Sequence, residues 1–146
     1  MKIDGGCHCG NIRYEAEVDP GKVILCHCTD CQTLSGSAFR TVVQTIPGTF
    51  RLVSGEPKVY VKTGASGNAR EQTFCPECGT PIYSAPVGAG TKAVGLRVGA
   101  IRQRDQLVPT DQYWCRSAQA WLATLGDIPG QEKQPVFRAD GGFGDS

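Results

Sequence analysis

The sequence predicts a single all-β domain with at most two short helices, and three features carry that prediction. Ile12, Tyr14, Ala16 and Val18 alternate with Asn11, Arg13, Glu15 and Glu17, the period of two expected of a strand buried on one face. Runs rich in β-branched residues recur at 38–46, 50–53 and 58–62, separated by Pro47-Gly48 and Ser54-Gly55-Glu56-Pro57. A further alternation, Val94, Leu96, Val98 and Ala100 against Ala93, Gly95, Arg97 and Gly99, predicts a strand over 92–101, with glycines where another backbone comes close.

The remaining elements follow in order. Gly5-Gly6 leads into Cys7-His8-Cys9-Gly10, where positions i and i+2 of an extended strand would aim both sulfurs to one side and His8 away. Asp19-Pro20-Gly21 reads as a turn before a buried strand at Val23-Ile24-Leu25. Thr29 with Gln32 three positions on fits a capping box, and Gly36 fits a left-handed stop, so 30–35 is a short helix. Cys31 then falls in the first helical turn, where free N–H groups favour thiolate. Gly64 to Asn68 is a polar loop, 71–74 a strand, and Cys75-Pro76-Glu77-Cys78-Gly79 a zinc-knuckle turn before a strand at 81–84. Arg102, Arg104 and Asp105 form a charged, solvated turn. Residues 112–115 and 120–122, with Trp114 and Trp121, are expected to close the core with their aromatic side chains. The domain is expected to span 1–128, with 129–146 a loosely ordered tail in which Val136-Phe137 is the pair able to dock.

Composition narrows the function. Lys+Arg 15 against Asp+Glu 14 gives a formal charge of +1, no electrostatic case for nucleic acid or an anionic membrane. The apolar runs are too short for a spanning helix, and the N-terminal residues lack the apolar core of a signal peptide. A reducing, cytoplasmic setting is therefore expected, which argues against disulfides among the 8 Cys. Their spacing argues the same way. Cysteines one or two residues apart are poorly placed to bridge each other and well placed to chelate.

Seven of the cysteines cluster, at Cys7/Cys9, Cys26/Cys28/Cys31 and Cys75/Cys78, while Cys115 stands alone beside Trp114. A closed structural zinc takes four protein ligands, and a catalytic one commonly takes three plus an open position. One partition gives four plus three, pairing the knuckle Cys75/Cys78 with Cys7/Cys9 and leaving Cys115 as an ordinary buried residue. The other recruits Cys115 to make two closed sites, and an iron–sulfur cluster is a third option. Spacing alone leaves the partitions standing.

Taken together, Gly5-Gly6-Cys7-His8-Cys9-Gly10, Cys26-His27-Cys28-Thr29-Asp30-Cys31 with Gly36-Ser37 and Phe39, and Phe74-Cys75-Pro76-Glu77-Cys78-Gly79 closely resemble the glutathione-dependent formaldehyde-activating enzyme family, which includes centromere protein V. The resemblance covers roughly residues 5–122. It implies a β-tent fold holding two zinc ions. It further implies a structural zinc on Cys7, Cys9, Cys75 and Cys78 and a catalytic-type zinc on Cys26, Cys28 and Cys31. The family's namesake reaction, joining glutathione and formaldehyde into S-hydroxymethylglutathione, implies a carbon–sulfur lyase whose partners are a small thiol and a small aldehyde. A three-thiolate zinc suits this, because its formal charge of about −1 blunts its power over water and favours an incoming thiol.

Two departures stand out. Gln112 occupies a position where the family commonly has histidine, and Ala100-Ile101 replaces a common Leu-Asp. Arg40, Lys62, Arg70 and Arg97 are candidates for glutathione's carboxylates, although as single residues each reads as a solvated strand-face charge. The competing classes are a non-catalytic zinc module, whose trio would be closed or shielded, and a thiol or metal sensor, whose trio zinc would leave on oxidation.

Overall fold

A computed structural model describes residues Met1–Gly144. Nine strands join one sheet: β1 (Lys2–Gly6), β2 (Arg13–Cys26), β3 (Arg40–Thr45), β4 (Arg51–Ser54), β5 (Lys58–Thr63), β6 (Ala69–Phe74), β7 (Pro81–Pro86), β8 (Gly95–Arg97) and β9 (Asp111–Tyr113). The order is β1-β2-β3-β8-β7-β6-β5, with β4 and β9 both paired to β2. All pairings are antiparallel except β2 with β9. One α-helix, α1 (Thr29–Ser35), follows β2, and 3₁₀ segments lie at Val98–Ala100, Arg104–Gln106, Cys115–Ser117 and Ala120–Asp127. The fold is thus mostly antiparallel β but mixed rather than strictly all-β, with more helical segments than the expected two. No helix among the described residues is long and apolar enough to cross a membrane.

The core follows the alternation. Ile12, just before β2, and Tyr14, Ala16 and Val18 on one face of it are buried and pack with Val43, Ile82, Leu96 and Ile101. Tyr14 carries a hydroxyl into this core and donates it to Ala100 O at 3.2 Å, which satisfies the group.

Several local expectations are corrected. Asp19-Pro20-Gly21 does not end a strand; β2 runs through it, with a register shift between Val18 and Val23. A bulge accommodates Pro20, which has no N–H to give a ladder, and Asp19 accepts the Gly21 N–H at 2.9 Å. The strand expected over 92–101 shortens to β8 and turns into a 3₁₀ segment, although Val94, Leu96 and Val98 stay buried as the pattern requires. Trp114 and Trp121 do not close the core but remain half exposed, and Cys115 is exposed rather than buried. Both tryptophans follow β9, which pairs with β2, and lie outside the buried cluster among the described residues. In the expected tail, Phe137 and Phe143 face each other with ring centroids 4.8 Å apart, forming a small bridge of their own; Asp145 and Ser146 lie outside the described residues.

Candidate metal centres

Two groups of sulfurs converge among the described residues: Cys7, Cys9, Cys75 and Cys78, and Cys26, Cys28 and Cys31. Within each group all sulfurs lie within 4.8 Å of one another. All eight cysteines are free thiols, and Cys115 belongs to neither group.

The four-sulfur group is assembled by two turns. Cys7 and Cys9 sit in the turn after β1, not on the strand itself; Gly10 N–H returns to Cys7 O at 3.2 Å and Cys7 N–H reaches Ile12 O at 3.1 Å. Gly10, with φ 83°, supplies the left-handed residue that such a tight return requires. The second turn closes between β6 and β7 through Gly79 N–H to Cys75 O at 2.9 Å and Cys75 N–H to Thr80 O at 3.0 Å. Ile12 N–H donates to the Cys7 sulfur at 3.1 Å, and the hydroxyl and N–H of Thr80 hold the Cys78 thiol down to about 5. Such donors stabilise thiolates, the form a metal takes. β1 and β6 are separated in the sheet by β2, β3, β8 and β7, so this group gathers sulfurs from turns beside strands far apart in the sheet order.

The trio is organised by one strand end and one helix start. Cys26 is the last residue of β2, Cys28 is the N-cap of α1, and Cys31 lies in its first turn. The cap is the Cys28 sulfur, which accepts Cys31 N–H at 3.3 Å, rather than the expected Thr29 hydroxyl. Gln32, instead of completing a capping box, sends its side-chain N–H to His27 O and Ser117 O, both at 2.9 Å. Gly36 ends the helix at φ 64°, as the sequence anticipates. Among the three sulfurs, hydrogen bonding from Cys31 holds Cys26 down to about 5 despite burial, and the same contact pushes Cys31 up. Three thiolates so close repel one another unless a cation is shared among them.

Both donor sets fit a divalent metal of the zinc type. With zinc–sulfur bonds of about 2.3 Å, tetrahedral geometry places sulfurs about 3.8 Å apart. Cys7–Cys9 at 3.5 Å and Cys9–Cys75 at 3.8 Å lie close to that edge. The four-sulfur group can close a coordination shell by itself, and the trio is one ligand short.

The surroundings of the trio contain groups that the sequence did not single out. His27, only 2% exposed, points its Nε2 at Gln112 Oε1, 2.8 Å away, so the ring proton sits on Nε2 and the buried Nδ1 has no protein partner. Gln112, noted above only as a departure, therefore orients the histidine between two trio cysteines. The C-H-C spacing could have flagged His27, but its partner arrives from β9, 85 residues later. Cys28 opens onto a cleft lined also by Asp30, Lys62, Arg70, Trp114 and Arg116. Trp114 has φ 58°, the left-handed region and strained for a bulky side chain, with the Arg116 guanidinium 5.1 Å from its ring centre. Lys62 pairs with Asp30 at 2.8 Å and Arg70 reaches the Ser84 hydroxyl at 3.3 Å. Arg40 and Arg97, by contrast, are not solvated charges at all; they are 6% and 8% exposed.

The family model described as glutathione-dependent formaldehyde-activating enzyme matches residues 2–117. A Schizosaccharomyces pombe protein described as an uncharacterized lyase is 30% identical over 84 residues, 58% of this chain. The chain spans 58% of the length of that curated relative. A crystal structure of a Rhodobacter sphaeroides protein, 20% identical, covers 77% of this chain and 99% of its own, with a TM-score of 0.56, a likeness of fold.

Proposed function

The chain belongs to the glutathione-dependent formaldehyde-activating enzyme family, and from that premise we propose that it is a zinc-dependent carbon–sulfur lyase. In this reading it forms or cleaves an S-hydroxymethyl-type adduct between glutathione, or a similar thiol, and formaldehyde or another small aldehyde. The structural zinc belongs to Cys7, Cys9, Cys75 and Cys78, and the catalytic-type zinc to Cys26, Cys28 and Cys31, within a fold of the β-tent type.

The observation that carries the reading is the unequal ligand count: four convergent sulfurs in one group, three in the other, with Cys115 in neither. Zinc on three thiolates supplies an open fourth position and lowers the pKa of a thiol there from its ordinary value of about 8.5. Cys28 faces the cleft from which that thiol enters. Lys62, Arg70 and Arg116 place positive charge around the same cleft, suited to the two carboxylates of glutathione. In the forward direction the substrate sulfur attacks the aldehyde carbon, a carbon–sulfur bond forms, and the carbonyl π pair moves to oxygen, which takes a proton from water. The reverse breaks the same bond. His27, fixed by Gln112, and Gln32, bonded to His27 O and Ser117 O, hold the Cys26–Cys31 loop in its ligating shape.

Metal stoichiometry combined with glutathione titration tests the assignment. Wild-type protein should bind two zinc ions, and Cys28→Ser one, with loss of glutathione binding. Unchanged stoichiometry in the variant would sink the trio assignment. Absence of thiol-dependent acceleration of adduct formation or release, over a range of aldehydes, would sink the reaction.

A further inference from the structure

Arg40 and Arg97 are both more than nine-tenths buried, and their guanidiniums both donate to one neutral acceptor, Gln72 Oε1, at 3.3 and 2.7 Å. Arg97 Nε has no protein partner. The ion pairs among the described residues engage Lys22, Arg51, Lys62, Arg102 and Arg138, none of them this pair. Two buried cations sharing one amide oxygen are under-compensated, since a buried charge is normally paired.

The thiolates nearby do not close the account. Arg40 is the cross-strand partner of Cys26, and Arg97 is drawn to Cys31 and Cys26. A divalent metal on three thiolates carries a formal charge of about −1, which cannot offset both arginines.

Both arginines line a cavity of about 460 Å³. Its other walls are largely apolar, with Leu34 from α1, Val59 and Tyr60 from β5, Phe74 from β6, and Tyr83 from β7, and Lys58 at the start of β5 adds a further positive charge. That size suits a small organic ligand. It is distinct from the cleft over Cys28, which is lined by other residues.

We infer that this cavity is a binding site for an organic monocarboxylate with an apolar body, its carboxylate held by Arg40 and Arg97 and its body by the Tyr60–Tyr83 walls. A guanidinium matches a planar carboxylate in two-pronged fashion. The apolar walls suit an anion that carries an apolar body and disfavour a doubly charged, strongly hydrated phosphate. The site takes no part in the thiol chemistry assigned to the trio, although the trio thiolates offset part of its positive charge.

Calorimetric titration of the metal-loaded full chain tests it. The probes are benzoate and hexanoate, the neutral benzamide and hexanamide, and inorganic phosphate. The acids should bind at least tenfold more tightly than their amides, and phosphate should not compete with them. Arg97→Met should bring the acid-to-amide ratio close to one, and Arg97→Lys should recover part of it. Tyr60→Ala, a wall substitution on a residue 55% exposed and therefore tolerant, should weaken both acids several-fold while leaving the melting temperature in place. Cys28→Ser should leave the preference for acid over amide in place. Equal binding of acids and amides overturns the proposal, as does competition by phosphate. So does acid binding that disappears in Cys28→Ser yet survives in Arg97→Met, which would put the carboxylate on the trio metal.

Discussion

Replacing Cys78 by serine separates a metal's contribution from everything else that cysteine could do. Cys78 is exposed, so the substitution disturbs no core packing, and an exposed change of this kind ordinarily moves stability by no more than about 0.5 kcal/mol. As a ligand, however, Cys78 helps a metal link two turns that are far apart in sequence, Cys9 and Cys75 being 66 residues apart. Cross-linking a loop of that length removes unfolded-state entropy worth about 4 kcal/mol by the relation used for disulfides. For a domain near 150 residues, each kcal/mol corresponds to roughly 2–4 °C, so losing the link lowers the melting temperature by roughly 8–16 °C. The assay is thermal unfolding followed by circular dichroism, with zinc counted in the same samples. Cys115→Ser is the matched control, another exposed cysteine but outside both groups, and its melting temperature should stay within about 2 °C of wild type. Equal shifts in the two variants, or an undiminished zinc count in Cys78→Ser, would refute the assignment of the four-sulfur group as a structural staple.

Two further substitutions probe the frame around the sites. In Gly5→Ala the new Cβ meets Ala100 O and the Tyr14 hydroxyl closer than any real Cβ contact, with Tyr14 Cζ at 2.5 Å. Tyr14 is fully packed and cannot retreat, so overpacking should cost about 1–3 kcal/mol, read as a lower urea midpoint; an unchanged midpoint would contradict the close approach. Gln112→Ala leaves the buried Nε2–H of His27 without its acceptor, a loss of about 1 kcal/mol because water can reach the exposed face of Gln112. The His27 ring-nitrogen signals should show the Nε2 proton exchanging faster, and unaltered signals would mean that Gln112 does not orient the ring.

Membership in the family also explains why the ligand groups were readable. C-x-C and C-x-x-C spacings hold sulfurs within reach of one ion whatever turn carries them, so Cys7 and Cys9 converge although they lie in a turn and not on a strand. The same locality made Gly36 legible, since a left-handed stop depends on one residue's φ. The capping assignment failed for a related reason. Cys28 and Thr29 are adjacent, both can accept from the helix start, and a sulfur already fixed in the cluster takes the role.

The alternating pattern of β2 and the cysteine spacings, both set by neighbours a few residues apart, determined from the sequence alone that this is a β-rich chain with clustered, chelating thiols, while their convergence as four and three is seen in the tertiary structure. Only the tertiary structure decided which charges are buried and which aromatics are not. Arg40, Arg97 and Gln72 lie on three different strands, β3, β8 and β6, and become one site only when the sheet order brings those strands together. Trp114, Trp121 and Cys115 carry the composition of a core, but they follow β9 beside β2 and stay exposed, Trp114 against the Arg116 guanidinium rather than against apolar neighbours. Burial is a property of what arrives from elsewhere in the chain, and no local pattern records it.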